Sequence, residues 1–116
     1  MQLIPILVVE DDNAALDFYT KVFQADIKKV HRNTTQISVQ GYAIAIRKAD
    51  DRDACSDEHG IILLIETAAP DVLAEAAIKH GAEKITDVDD HETGIRAGRI
   101  RDPFGFQWIL STPAPL

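Results

Sequence analysis

Apolar and polar positions along this chain follow two rhythms, one of strand type and one of helix type, and the pair occurs twice. The run "LIPILVV" from Leu3 is apolar over the length of a buried strand. After it, Ala15, Leu16, Tyr19, Val22 and Phe23 recur at three- and four-residue spacing, which predicts a helix burying one face. Asp11 or Asp12 can accept the orphan N–H groups of its opening turn. Three strands are then predicted at about 26–32, 34–40 and 42–48. The order starts again at "ILLIE" from Ile62, a second strand of the first kind. Pro70 suits the first turn of the second helix, Leu73, Ala76, Ala77 and His80 continue its stripe, and Gly81 supplies a left-handed stop. Strands at about 83–88, 97–101 and 106–111 complete the pattern.

The two halves also superimpose by residue. Laying "ILVVEDD" over "ILLIETA" puts Glu10 on Glu66 at an offset of 56, and the helix-end segments "FQAD" and "HGAE" match at an offset of 57. The chain therefore reads as one α+β domain made of two tandem βαβββ modules. Module one spans about 1–50, a charged linker without periodicity about 50–59, and module two about 60–116. "DVDDHETGIRAG" is expected as a long loop of the second module, where a ligand mouth can form.

Charge narrows the partners. A chain of 116 residues with net charge −7 lacks the basic surface that nucleic acid or an anionic membrane requires. No apolar stretch reaches the length of a membrane span, and "LIPILVV" runs straight into Glu10, Asp11 and Asp12 without a basic leader. The single cysteine, Cys55, excludes an intrachain disulfide and suits a reducing, cytoplasmic location. No nucleophile elbow or glycine-rich phosphate loop occurs. Glu10 and Glu66 read as a repeated helix start rather than as an acid–base pair.

Near the C-terminus, "GRIRDPFGFQWIL" combines a turn at Asp102–Gly105 with arginines in an otherwise acidic chain. Together with "VVEDDNAALDFYTKVF", it resembles the vicinal oxygen chelate superfamily of glyoxalases, bleomycin resistance proteins and dioxygenases, and within it the PhnB-like group. That resemblance implies a curved mixed sheet around a cavity with the helices outside, and a homodimer. It also implies four metal positions, which fall near Ile4, Ala45, Ile61 and Ile109, where no side chain offers a donor. A shift of register would bring in His59, with Cys55 at loosely ligand-like spacing, but two donors from one loop do not make a site. The expectation is no metal and no cofactor, with His31, His59, His80 and His91 at the surface or at helix ends.

Strand alternation then lines the expected cavity. With Ile4 and Ile109 inward, Ile6, Val8, Gln107 and Ser111 share their face, as do Ala43, Ala45 and Arg47. Trp108 turns toward the helices, or serves as an aromatic platform if the faces are exchanged. Ile95, Arg96 and Arg99, beside the long loop, are expected to close the mouth and hold polar groups of a ligand by forked hydrogen bonds. The functional expectation is a metal-free protein that binds and sequesters a largely apolar, aromatic or peptidic small molecule, as in antibiotic resistance. A metal-dependent lyase, isomerase or dioxygenase is the alternative, and a dimeric interaction module with a collapsed cavity the third reading.

Overall fold

The computed structural model of the chain describes residues 1–55, 60–91 and 94–113. They form two compact units, Met1–Ser56 and Asp57–Leu116, and each is a βαβββ module. The chain order is β1 (Ile6–Val9), α1 (Asp12–Phe23), β2 (Asp26–His31), β3 (Thr34–Val39), β4 (Tyr42–Lys48), β5 (Ile62–Glu66), α2 (Pro70–Lys79), β6 (Glu83–Asp90), β7 (Arg96–Arg101) and β8 (Gln107–Ser111). Each module holds a four-stranded mixed sheet, in the orders β1-β4-β3-β2 and β5-β8-β7-β6. The first strand of each module runs parallel to the last, and the remaining neighbours are antiparallel hairpins.

In the first module, Asp11 caps α1 by accepting from the Ala14 backbone N–H at 3.0 Å. Ala15, Phe18, Tyr19, Val22 and Phe23 are buried. Phe18 thus takes the inward place that periodicity assigns to Leu16, because it packs edge-on against Tyr19 and Phe23, with ring centroids 5.5 and 6.2 Å away. Leu7, Val9, Ile37, Val39, Ile44 and Ile46 present the buried face of the sheet to this helix, in the alternation the sequence predicts.

The second helix is slimmer. It buries Pro70, Ala74 and Ala77, while Leu73 and Ala76 are half-buried and His80 is exposed at the C-cap. The inward face is one position off the stripe expected from Leu73, since small side chains let α2 lie close to the sheet, where Trp108, Leu110 and Ile100 supply the bulk. Gly81 ends the helix at φ 105°, as expected.

Strand β6 runs to Asp90, so "DVDD" belongs to the edge of the sheet and only residues 91–95 remain as a connection. Opposite Gly98 the ladder slips between Thr86 and Asp89, a bulge that brings the Val88 backbone close to Gly98.

Candidate functional site

The last hairpin is organised by Asp102. Its buried carboxylate accepts the Phe104 and Phe106 backbone N–H groups at 3.0 and 2.9 Å and the Trp108 indole Nε1–H at 2.8 Å. The turn closes with Asp102 N–H donating to Phe106 O at 2.8 Å and Gly105 at φ 95°. This fixes the parity of β8. Trp108 and Leu110 face α2 and are buried, whereas Gln107 and Ile109 face the other side of the sheet.

On that other side, the register sets Arg99 beside Ile109 and Ile109 beside Leu64, and sets Gln107 between Arg101 and Ile62. Ile62 is 48% and Leu64 60% exposed, so the face is apolar and open in this module. Across the diagonal of β7 and β8, Arg99 Nη1 donates to Gln107 Oε1 at 3.1 Å. Gln107 Nε2 and the remaining Arg99 N–H groups meet no acceptor among the described residues. The face therefore presents hydrogen-bond donors within an aliphatic wall, suited to a ligand with an apolar body and an oxygen acceptor. Ile62 and Leu64 are functional-site candidates that the motif-led reading passed over; their signal was their pairing with Ile6 and Val8 at the 56-residue repeat offset, on the strand face expected to line the cavity.

Arg96 is placed differently. Its guanidinium grips Asp71 at the start of α2 with Nε to Oδ2 at 2.7 Å and Nη2 to Oδ1 at 2.8 Å, and reaches Asp90 at 3.2 Å. The hydrogen bonds from Arg96 hold the Asp71 carboxyl below its ordinary range, and those to Asp71 and then Asp90 keep Arg96 more firmly protonated. Ile95 lies in the β6–β7 connection, where its carbonyl accepts from His91 N–H at 2.8 Å. It lies four positions before Arg99, roughly 13 Å of extended chain.

In the first module, Ile6, Ala45 and Gln36 stand in one row across the sheet and Val8, Arg47 and Thr34 in the next. Ala45 is buried. Arg47 donates from Nε to Thr34 Oγ1 and from Nη1 to Asp53 Oδ2, both at 2.9 Å.

The positions that the resemblance assigns to metal lie on or just before the strands of these sheets. Ile4 precedes β1, Ile61 precedes β5, and Ala45 and Ile109 sit within β4 and β8. None of the four side chains carries a donor atom; Ala45 is flanked by Ile6 and the Gln36 amide, Ile109 by Leu64 and the Arg99 cation, and the oxygen donor next to Ile109, Gln107, is already turned to that guanidinium. Such a donor set does not fit a divalent ion. Among the described residues no three His, Cys, Asp or Glu side chains cluster to hold one. His59 lies outside the described residues.

The two tandem βαβββ modules, each a four-stranded mixed sheet with one helix, define the fold class of the chain. A family model described as the Glyoxalase/Bleomycin resistance protein/Dioxygenase superfamily matches residues 3–110, and the chain belongs to that superfamily. It is 30% identical over 129 aligned positions to the uncharacterized protein Mb0911c of Mycobacterium bovis, covering 96% of this chain and 82% of that protein. Its fold is similar to that of TioX from Micromonospora sp. ML1, with TM-score 0.77 and 17% identity over 97% of this chain and 98% of that one. It is also similar to a mutant of the fosfomycin resistance protein FosX from Listeria monocytogenes complexed with Mn(II) and 1S,2S-dihydroxypropylphosphonic acid, with TM-score 0.71 and 20% identity over 95% and 86% of the two chains. No helix among the described residues is long and apolar enough to cross a membrane.

Proposed function

We propose that this chain is a metal-free binding protein of the superfamily, in its PhnB-like group, which sequesters a largely apolar, aromatic or peptidic small molecule and acts as a homodimer. The observation that carries the reading is the Arg99–Gln107 pair. It places unspent donors in the middle of the exposed aliphatic face formed by Ile62, Leu64 and Ile109. Sequestration needs such a surface and affinity, and nothing more. Ala45, Arg47, Ile95, Arg96 and Trp108 belong to the same proposal in supporting parts. Ala45 leaves room on its sheet face, Arg47 contributes a cation, Ile95 and Arg96 shape the β6–β7 rim, and Trp108 backs the strand that bears Gln107. Exposed Ile27 and Val30 on the edge strand β2 support pairing with a second copy.

The aromatic sulfonate 8-anilinonaphthalene-1-sulfonate is a suitable probe, since it joins an apolar body to an anionic acceptor. Titrated into the protein, it is expected to show saturable fluorescence. Gln107→Leu and Arg99→Ala should each weaken its binding about tenfold while the folded state persists, as loss of one hydrogen bond implies. Equal binding by the wild type and both variants contradicts the assignment.

A further inference from the structure

A polar concavity lies in the first module, and neither Arg99 nor Gln107 is among its lining residues. It has a volume of about 680 Å³ and is bounded by the β2–β3 turn, the end of β4 and the segment 50–53. Its walls are built by side-chain and backbone bonds. Asp50 Oδ1 accepts the Arg52 and Asp53 backbone N–H groups at 2.9 and 2.8 Å, which folds the segment into a tight turn. Asn33 Nδ2 then ties the β2–β3 turn to this segment through Asp50 Oδ2 at 3.2 Å. Arg47 is fixed between Thr34 and Asp53.

Charge in this concavity runs against that of the chain. Three arginines, Arg32, Arg47 and Arg52, line it against two aspartates, although the whole protein is at −7. Both carboxylates are already engaged, Asp50 with two backbone N–H groups and Asn33, and Asp53 with Arg47. The guanidinium groups of Arg32 and Arg52 make no hydrogen bond or close ion pair among the described residues, although Arg52 is near enough to Asp50 to help hold its carboxyl below the ordinary range. Arg32, moreover, sits at φ 57°, a left-handed conformation that glycine adopts at lower cost. A long cationic side chain held in a strained turn position at the lip of a concavity suggests a use for the cation.

We infer that this concavity binds the oxyanion of a phosphorylated small molecule, with Arg32 and Arg52 as its forked donors and Arg47 as a fixed cation behind them. Planar guanidinium groups match the geometry of phosphate oxygens bidentately. The volume exceeds that of a bare phosphate and leaves room for a small organic body. The site shares Arg47 with the sequestering function proposed above, but neither Arg99 nor Gln107, the pair that carries that function, nor any variant used below, belongs to both.

The test is titration of the 15N-labelled protein with inorganic phosphate and, in a parallel arm, with glucose 6-phosphate, at ionic strength held constant with sodium chloride. Saturable shifts of the Arg32, Asn33, Arg52 and Asp53 amides are expected in both arms, with none from glucose. Tighter binding of the ester assigns the room beside the arginines to its organic part, and equal affinities assign the site to the phosphate group alone. Arg52→Ala should weaken binding about tenfold, as loss of a charge-assisted contact implies. Arg32→Gly is the sharper variant, since it should relieve the turn and keep or raise Tm while weakening phosphate binding. Shifts that stay linear with concentration, or affinities unchanged in Arg32→Gly and Arg52→Ala, overturn the inference. Neither outcome bears on 8-anilinonaphthalene-1-sulfonate binding, so the two proposals fail separately.

Discussion

Trp108 Nε1 donates to Asp102 Oδ2 across 2.8 Å between two buried residues, and this bond ties the turn of the last hairpin to the core of the second module. The same carboxylate accepts two backbone N–H groups of the turn. One side chain thus sets both the hairpin's shape and the face on which Gln107 emerges. Asp102→Ala leaves these donors unmet and is expected to cost at least about 2 kcal/mol. Trp108→Phe should cost less through this bond, and a double-mutant cycle should return a coupling of about 1 kcal/mol or more. Urea unfolding of the four proteins measures it, and additive effects would show that the bond contributes nothing.

Gly98 has a steric role. A Cβ there would stand 2.7 Å from Val88 Cγ2 and 2.8 Å from both the Cα and N of Val88. The backbone atoms cannot yield without opening the bulge between β6 and β7. Gly98→Ala is expected to destabilise by about 1–3 kcal/mol, as overpacking does. A Tm equal to that of the wild type would mean the two strands part freely at this point.

The Asp71–Arg96 pair gives a pH dependence with a definite sign. Arg96 lowers the Asp71 carboxyl from its ordinary value of 3.8 in the folded protein. Its contribution is therefore complete above the unfolded carboxylate range and is lost as pH falls through the lowered folded value. Asp71→Asn should have a lower Tm than the wild type at neutral pH, with the difference closing as pH falls below the ordinary carboxylate range and through the lowered folded value. Thermal melts across that range check it, and a gap that persists unchanged into acid would contradict the pairing. Both groups are solvated, so the gap should also narrow in high salt.

Exposed apolar residues on an edge strand, Ile27 and Val30, underlie the expectation of a homodimer. Light scattering should give twice the chain mass at micromolar concentration, and Val30→Lys should shift the balance toward monomer. A wild-type monomer throughout that range contradicts it.

Repetition and alternation made the two βαβββ modules legible in the sequence, because each strand and helix buries one face and so repeats its own period. The ends were less legible. Strand β6 continues through "DVDD" because an edge strand exposed along nearly its whole length tolerates acidic residues that polarity alone assigns to a loop. Phe18 displaced Leu16 through aromatic packing with neighbours on its own helix, which spacing does not rank. Arg96 was legible as a cation but not as the partner of Asp71, 25 residues earlier in the chain, since only the fold brings them together. Gln107 stood out as an amide in an apolar strand, yet its bond to Arg99 depends on the register of β7 and β8.

Binding without metal is the property on which the proposed function most depends. Chelator-treated protein titrated calorimetrically with a panel of aromatic and peptide antibiotics, before and after addition of zinc, nickel or manganese, separates the possibilities. Saturable binding of at least one compound at one per chain is predicted, with the same affinity and the same Tm whether or not metal is added. A specific metal site held at a hundredfold excess over its Kd would instead add about 2.7 kcal/mol to stability. Stabilisation of that size at one ion per chain, with ligand binding that requires it, would contradict the account.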